Sequence, residues 1–159
     1  MSDNGREWAY GIGVRVGWQG QVHERVTLGA AIASKIYMTG FHDYRELFAE
    51  DGDFDVPANF SLGLAVKATD DLDVSFDFQR IFYSDVRSIG NRGPVATPFG
   101  PAPGPGSGLL GANNGLGFAW NDINVYRFGL QYRVNDDWTI RSGYSWNDSP
   151  IPNKEILGL

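Results

Sequence analysis

The chain has 159 residues and a formal net charge of −6, with no run of Lys or Arg. Nucleic acid is therefore not an expected partner, because its binding needs clustered phosphate-neutralising charge. There is no Cys, which excludes a disulfide frame and any thiolate metal site.

The length suffices for one domain with a sizeable core. No apolar window of about 18 residues exists, so no transmembrane helix is expected. The slightly negative mean hydropathy still admits a membrane β-barrel, whose strands alternate lipid-facing and lumen-facing residues. The opening Met-Ser-Asp-Asn-Gly-Arg-Glu lacks the basic and apolar regions of a secretory signal. It implies either a protein that is not exported or a piece of a longer chain.

The first strand is predicted over Trp8 to Trp18. Trp8, Tyr10, Ile12, Val14, Val16 and Trp18 form one face, and Ala9, Gly11, Gly13, Arg15 and Gly17 the other. The polar segment Gln19 to Glu24 reads as the turn. The second strand runs from Arg25 to Met38, with Val26, Leu28, Ala30, Ile32, Ile36 and Met38 on its apolar face. Residues 39 to 57 form a long connection. In it Tyr44, Leu47 and Phe48 have the i, i+3, i+4 spacing of a short amphipathic helix.

A third strand follows over Ala58 to Ala68, carrying Phe60, Leu62, Leu64 and Val66 on one face. Thr69-Asp70-Asp71 is the turn. The fourth strand, Leu72 to Tyr83, carries Leu72, Val74, Phe76, Phe78 and Phe82 on one face and Asp73, Ser75, Asp77 and Gln79 on the other. Arg80 interrupts the apolar face. The connection over 84 to 119 is the longest, rich in Pro and Gly at its centre; connections this long are usually functional or disordered. Val125 to Val134 and Trp138 to Trp146 then form a hairpin around Asn135-Asp136-Asp137. The two Asx-rich turns echo one another, which suggests repeated hairpins.

Short and long connections alternate, as periplasmic turns and extracellular loops do in outer-membrane barrels. The strands approach the roughly 9–11 residues that cross a bilayer at a tilt, and aromatics mark their ends, as interface girdles do. The competing reading is a soluble sandwich or lipocalin-like barrel with the apolar face as its core. That fold would leave Gly11, Gly13, Gly29, Gly63, Gly129 and Gly143 on solvent-facing strand positions, where Gly weakens a strand. A third reading is a structural or adhesive outer-membrane barrel whose longest loop binds a partner.

Specific strings carry a resemblance. They are Tyr10-Gly-Ile-Gly-Val-Arg-Val-Gly-Trp-Gln-Gly, Tyr44-Arg-Glu-Leu-Phe-Ala-Glu-Asp-Gly-Asp-Phe-Asp-Val-Pro-Ala-Asn, Gly117-Phe-Ala-Trp-Asn-Asp and Asp137-Trp-Thr-Ile-Arg-Ser-Gly-Tyr-Ser-Trp-Asn-Asp-Ser-Pro-Ile-Pro. The chain resembles the C-terminal half of the FadL/OMPP1/TodX family of outer-membrane transport proteins. The resemblance implies an all-β, antiparallel up-and-down membrane β-barrel. About six strands of a fourteen-stranded barrel fall in this chain, which is then an internal fragment in one partial domain over 1–159. It also implies passive uptake of long-chain fatty acids or aromatic hydrocarbons. The partners implied are outer-membrane lipid or lipopolysaccharide, the hydrophobic ligand, and the missing strands and hatch. No enzymatic chemistry and no cofactor is expected.

A channel for an apolar acid needs apolar surface for the tail and a cation for the carboxylate. The lumen-face cations are Arg15, Lys35, Lys67, Arg127, Arg133 and Arg141. The plainer reading of each is pairing with an inward acid such as Asp73 or Asp77, or contact with lumen water. Arg127 and Arg141 stand out for sitting inside strands, and Arg15 is a further candidate. Leu47 and Phe48 could form part of a capture surface or simply pack the loop. Arg80 is expected to reach outer-leaflet headgroups, since an Arg on the lipid face is cheap only near the interface. His23 and His42 are isolated, so no metal site is expected.

Overall fold

The computed structural model describes residues 6–44, 49–97, 100–103, 108 and 111–151. Alternating sequence becomes strand over most of its length, but the strand expected over Trp8 to Trp18 is broken: Trp8–Tyr10 and Gly13–Val14 lie outside β-structure, leaving Gly11–Ile12 and a separate strand from Arg15. The strands are β1 (Gly11–Ile12), β2 (Arg15–His23), β3 (Val26–Ala33), β4 (Tyr37–Met38), β5 (Asn59–Lys67), β6 (Leu72–Ile81), β7 (Pro94–Thr97), β8 (Gly100–Pro103), β9 (Ile123–Arg133) and β10 (Thr139–Asn147). Six of them form one open sheet in the order β10-β9-β6-β5-β3-β2, every neighbouring pair antiparallel. Sheet order follows chain order, as in an up-and-down wall. β1 pairs with β4, and β7 with β8 inside the longest connection.

Apart from the irregularity that sets His23 opposite Val26, register keeps even-numbered residues opposite even-numbered residues across all six strands. Ile32, Phe60, Arg80 and Asn124 form one such row; Leu28, Leu64, Phe76, Phe128 and Tyr144 form another. Directly opposed residues share a face, so the large side chains make one continuous apolar surface. That surface is uncovered: Trp18 is 57% exposed, Ile32 62% and Tyr144 70%. A soluble sandwich or closed binding barrel would bury these residues. Left open, such a face marks a surface that meets another apolar phase, a membrane or a protein partner.

The hairpin turns recur as expected. The Ala68 and Thr69 amides donate to the Leu72 carbonyl, and the Val134 and Asn135 amides to the Trp138 carbonyl. Thr69 Oγ1 accepts from the Asp71 amide, and Asn135 Oδ1 from those of Asp137 and Trp138. These side chains replace the ladder bonds that a chain reversal gives up.

Two expectations are corrected. Gln19 to Glu24 is not a loop: β2 runs to His23, with an irregularity between Gln21 and His23, and the turn is Glu24–Arg25. Gln19 and Gln21 face the polar side of the sheet, so their polarity is no obstacle to pairing. The predicted Arg25–Met38 strand is also broken. Arg15 pairs with Ala33 and Ile12 with Tyr37, so one extra residue sits in the Ser34–Ile36 stretch. A one-residue slip exchanges faces. Tyr37 therefore joins Ile12, and Ile36 and Met38 leave the apolar face. They come to lie over Gly11 and Gly13, where a Cβ at Gly11 would collide with Met38 Sδ and one at Gly13 would meet Ile36 Cγ1 at 2.8 Å.

The water-excluded core lies where the long connections meet the end of the sheet. Ala49, Val86, Ile89, Ile123 and Val125 are its buried apolar residues. The two connections form one cap. Phe54 of the first stacks edge-on against Phe118 of the second at 6.4 Å, and Trp120 continues the cluster to Tyr83. Arg87 pairs with Glu50 at 2.8 Å, Ser88 Oγ donates to the Asp53 carbonyl, and the Asp51 amide donates to the Gly111 carbonyl. The predicted helix around Tyr44, Leu47 and Phe48 is represented by a 3-10 turn over His42–Tyr44; Leu47 and Phe48 lie outside the described residues.

Candidate functional site: the inner face of the sheet

Odd-numbered residues build the face opposite the apolar one. Its rows include Gly17–Ala31–Ser61–Gln79, Gln19–Gly29–Gly63–Asp77–Arg127–Ser145 and Lys67–Asp73–Gln131–Arg141. Small residues on β2, β3 and β5 leave a shallow trough of about 360 Å³ over Gly17, Gly29, Ala31, Ser61 and Gly63, with Asp77 at its side. The charged and amide side chains concentrate on β6, β9 and β10. One half of the face is therefore small and smooth, the other polar.

The structure places Arg127 and Arg141 on neighbouring strands of the polar half. Arg127 Nη2 donates to Gln79 Oε1 at 3.0 Å, and Gln79 Nε2 donates to Asn59 Oδ1 at 3.3 Å. Arg141 Nε donates to Gln131 Oε1 at 2.7 Å, and Gln131 Nε2 donates to Asp73 Oδ2 at 3.2 Å. Both arginines are thus seated on neutral amides. Arg15 stands on β2, the opposite edge strand of the sheet from β10, and is not brought together with the other two. Arg133 faces Thr139, and Lys67 lies opposite Asp73.

Lys35 is not a lumen cation. It lies in the slipped stretch and pairs with the buried Asp55 at 2.7 Å. Its hydrogen bond to Asp55 raises its pKa above the ordinary lysine value, against the opposing effect of burial. Asp55 also accepts from the Met38 amide at 2.8 Å. Nearby, burial and then the charges of Asp55 and Glu50 push the Asp53 carboxyl above its usual range.

Arg80 is on the apolar face at the cap end, and the protein itself meets its charge. Its guanidinium contacts Asp122 at 3.3 Å and Asn124 at 3.4 Å and lies over the Phe82 ring. Burial works against ionisation of Asp122, but hydrogen bonds from the Ser84 side chain and amide and from Arg80 outweigh it and lower its pKa. Below this rim Phe60, Phe78, Tyr126 and Trp146 form a run of ring contacts, with Tyr126 and Trp146 stacked at 5.4 Å. Among the described residues no group of His, Asp and Glu is placed to hold a metal ion.

The sequence does not mark Gln79, Gln131, Asn59 and Gly63 as holding the arginines, although it already places Gln79, Gln131 and Gly63 on the polar face. Parity alone puts them on the inner face. Their pairing with particular arginines depends on cross-strand register.

The family described as outer membrane protein transport protein (OMPP1/FadL/TodX) matches residues 1–156. The chain belongs to this family. OMPP1/FadL/TodX proteins are outer-membrane proteins of Gram-negative bacteria, and the bacterial outer membrane is this chain's compartment. The structure of a Pseudomonas aeruginosa FadL homologue superimposes with a TM-score of 0.61 at 18% identity, over 89% of this chain and 35% of that one. The structure of a TodX deltaS2S3 mutant, a monoaromatic hydrocarbon channel, superimposes with a TM-score of 0.57 at 22% identity, over 94% of this chain and 37% of that one. The chain therefore spans little more than a third of the length of these structures. At such identities the likeness concerns the fold: an antiparallel barrel wall, left open here. No protein of curated function matches the chain.

Proposed function

We propose that this chain forms part of the wall of an outer-membrane channel through which hydrophobic molecules enter by passive diffusion. The cargo on this reading is a long-chain fatty acid or an aromatic hydrocarbon. The observation that carries it is the division of one sheet into an uncovered apolar face and an inner face of small and polar residues. Lipid covers the first, with lipopolysaccharide at the cap end, and the solute moves along the second. The name of the TodX structure, a hydrocarbon channel, supports an apolar cargo.

On this reading the open edges of β2 and β10 receive the remaining barrel strands, and a hatch segment occupies the interior. The cap over 39–57 and 84–119 is extracellular, and Leu47 and Phe48 belong to its capture surface. Arg127 and Arg141 meet the carboxylate of an acidic cargo, with Arg15 a further contact on the far edge. No bond is made or broken: the protein supplies a path of graded polarity.

The test is uptake by cells that express the protein in their outer membrane and lack other hydrophobic channels. A long-chain fatty acid and its methyl ester should both enter faster than in cells without the protein. Equal rates with and without it would refute the proposal.

A further inference from the structure

Two acids lie within a strand's width of the inner-face arginines, yet neither pairs with them. Asp77 is directly opposite Arg127, and Asp73 is directly opposite Gln131, which is in turn opposite Arg141. Ion pairs among the described residues include Arg25–Asp70, Lys35–Asp55, Arg80–Asp122 and Arg87–Glu50. None of these involves Arg127 or Arg141. Opposite charges directly across a strand pair attract one another, so their separation here needs a local cause.

The cause is visible for each. Asp77 leans away from β9 onto β5, where its Oδ1 fills the space a side chain at Gly63 would take: a Cβ there would stand 2.8 Å from it. Arg127 turns to Gln79 instead. At the second site Gln131 stands between cation and acid, accepting from Arg141 through Oε1 and donating to Asp73 through Nε2. The same device serves Arg127, since Gln79 accepts from it and donates to Asn59. A glutamine oriented at its far end by an acceptor presents its carbonyl oxygen to the guanidinium. It holds the arginine in place and leaves the charge unneutralised.

We propose that Gly63, Gln79 and Gln131 are positioning residues that keep Arg127 and Arg141 free of carboxylate partners, so that both can meet the carboxylate of an apolar acid. The inference rests on the channel reading and deepens it, because it selects acids over neutral hydrocarbons of the same bulk. A guanidinium already paired with Asp77 would offer a passing carboxylate little. One seated on an amide keeps its remaining N–H donors and its full charge for the solute.

The experiment compares uptake of a long-chain fatty acid with that of its methyl ester in cells expressing the full protein. Gly63→Ala displaces the Asp77 carboxylate from β5 and returns it towards Arg127. Gln131→Glu puts a carboxylate directly on Arg141. Each is expected to lower the acid-to-ester uptake ratio by roughly two- to fivefold, the worth of a solvent-exposed ion pair; the ratio removes any common effect on the rate of passage. Adding Asp77→Asn to Gly63→Ala should restore the ratio. An unchanged ratio in both single variants, or a ratio that Asp77→Asn fails to restore, would overturn the positioning role while ester uptake persists. Loss of uptake of both ligands by the unsubstituted protein would overturn the channel reading itself, and this proposal with it.

Discussion

The ion pair between Lys35 and Asp55 offers a sharp test of how the slipped segment is held. The Asp55 side chain is 7% exposed and that of Lys35 is 23% exposed, with 2.7 Å between their charged atoms. Lys35→Met keeps most of the apolar stem but strands a buried carboxylate. Breaking a buried pair in this way costs about 3–5 kcal/mol when both partners are fully buried; the partial exposure of Lys35 reduces that to about 2–3 kcal/mol. Asp55→Asn should cost less, about 1 kcal/mol. The amide oxygen still accepts from Met38, and the freed lysine can swing to water. The assay is hydrogen exchange at the Ile36, Met38 and Val56 amides, which bond to Val56, Asp55 and Ile36 respectively. Exchange in Lys35→Met should quicken by roughly 30- to 140-fold, with amides of β6 unaffected. A change below about threefold, or a larger effect from Asp55→Asn than from Lys35→Met, would refute the view that Lys35 neutralises a buried acid here.

Further expectations follow from the cap and the two faces. The Lys35 pKa is raised, so its contribution is complete at neutral pH and is lost only as pH climbs above 10.5; alkaline titration of the same amides tests this. Asp53 is raised above its ordinary value of 3.8, so the cap is most stable with Asp53 protonated and loses stability as pH rises through the raised pKa. Asp53→Asn should therefore slow proteolysis of the cap at neutral pH and flatten its acid dependence. Asp122 is shifted the other way, so its contribution is present above 3.8 and is lost as pH falls through the lowered pKa. Asp122→Ala should weaken the rim by about 1–2 kcal/mol, because it leaves Arg80 unpaired on the apolar face; urea unfolding in vesicles measures it. Leu62→Arg in the middle of that face should cost about 2–4 kcal/mol in the same assay, whereas Ser61→Asp on the inner face should fall within about 0.5 kcal/mol of the unsubstituted protein.

The sequence alone determined the two faces and the hairpins. Alternation at period two assigns the residues of β5, β6, β9 and β10 to a side, and turn chemistry at Thr69–Asp71 and Asn135–Asp137 fixes where those strands reverse. Both signals are local, so they are legible without a fold. The arginines on the inner strands were legible for the same reason. What tertiary structure decided depends on residues distant in the chain. The slip that carries Ile36 and Met38 across the sheet is held by Asp55 and by the space over Gly11 and Gly13, and no periodicity within residues 25–38 records it. The cap joins Phe54 to Phe118 and Glu50 to Arg87 across long connections whose own sequence shows only Pro, Gly and a weak helical spacing. The partners of Arg127 and Arg141 were not readable either. Parity put Asp77, Gln79, Asp73 and Gln131 on one face with them, but only cross-strand register and the missing side chain at Gly63 chose the amides over the acids.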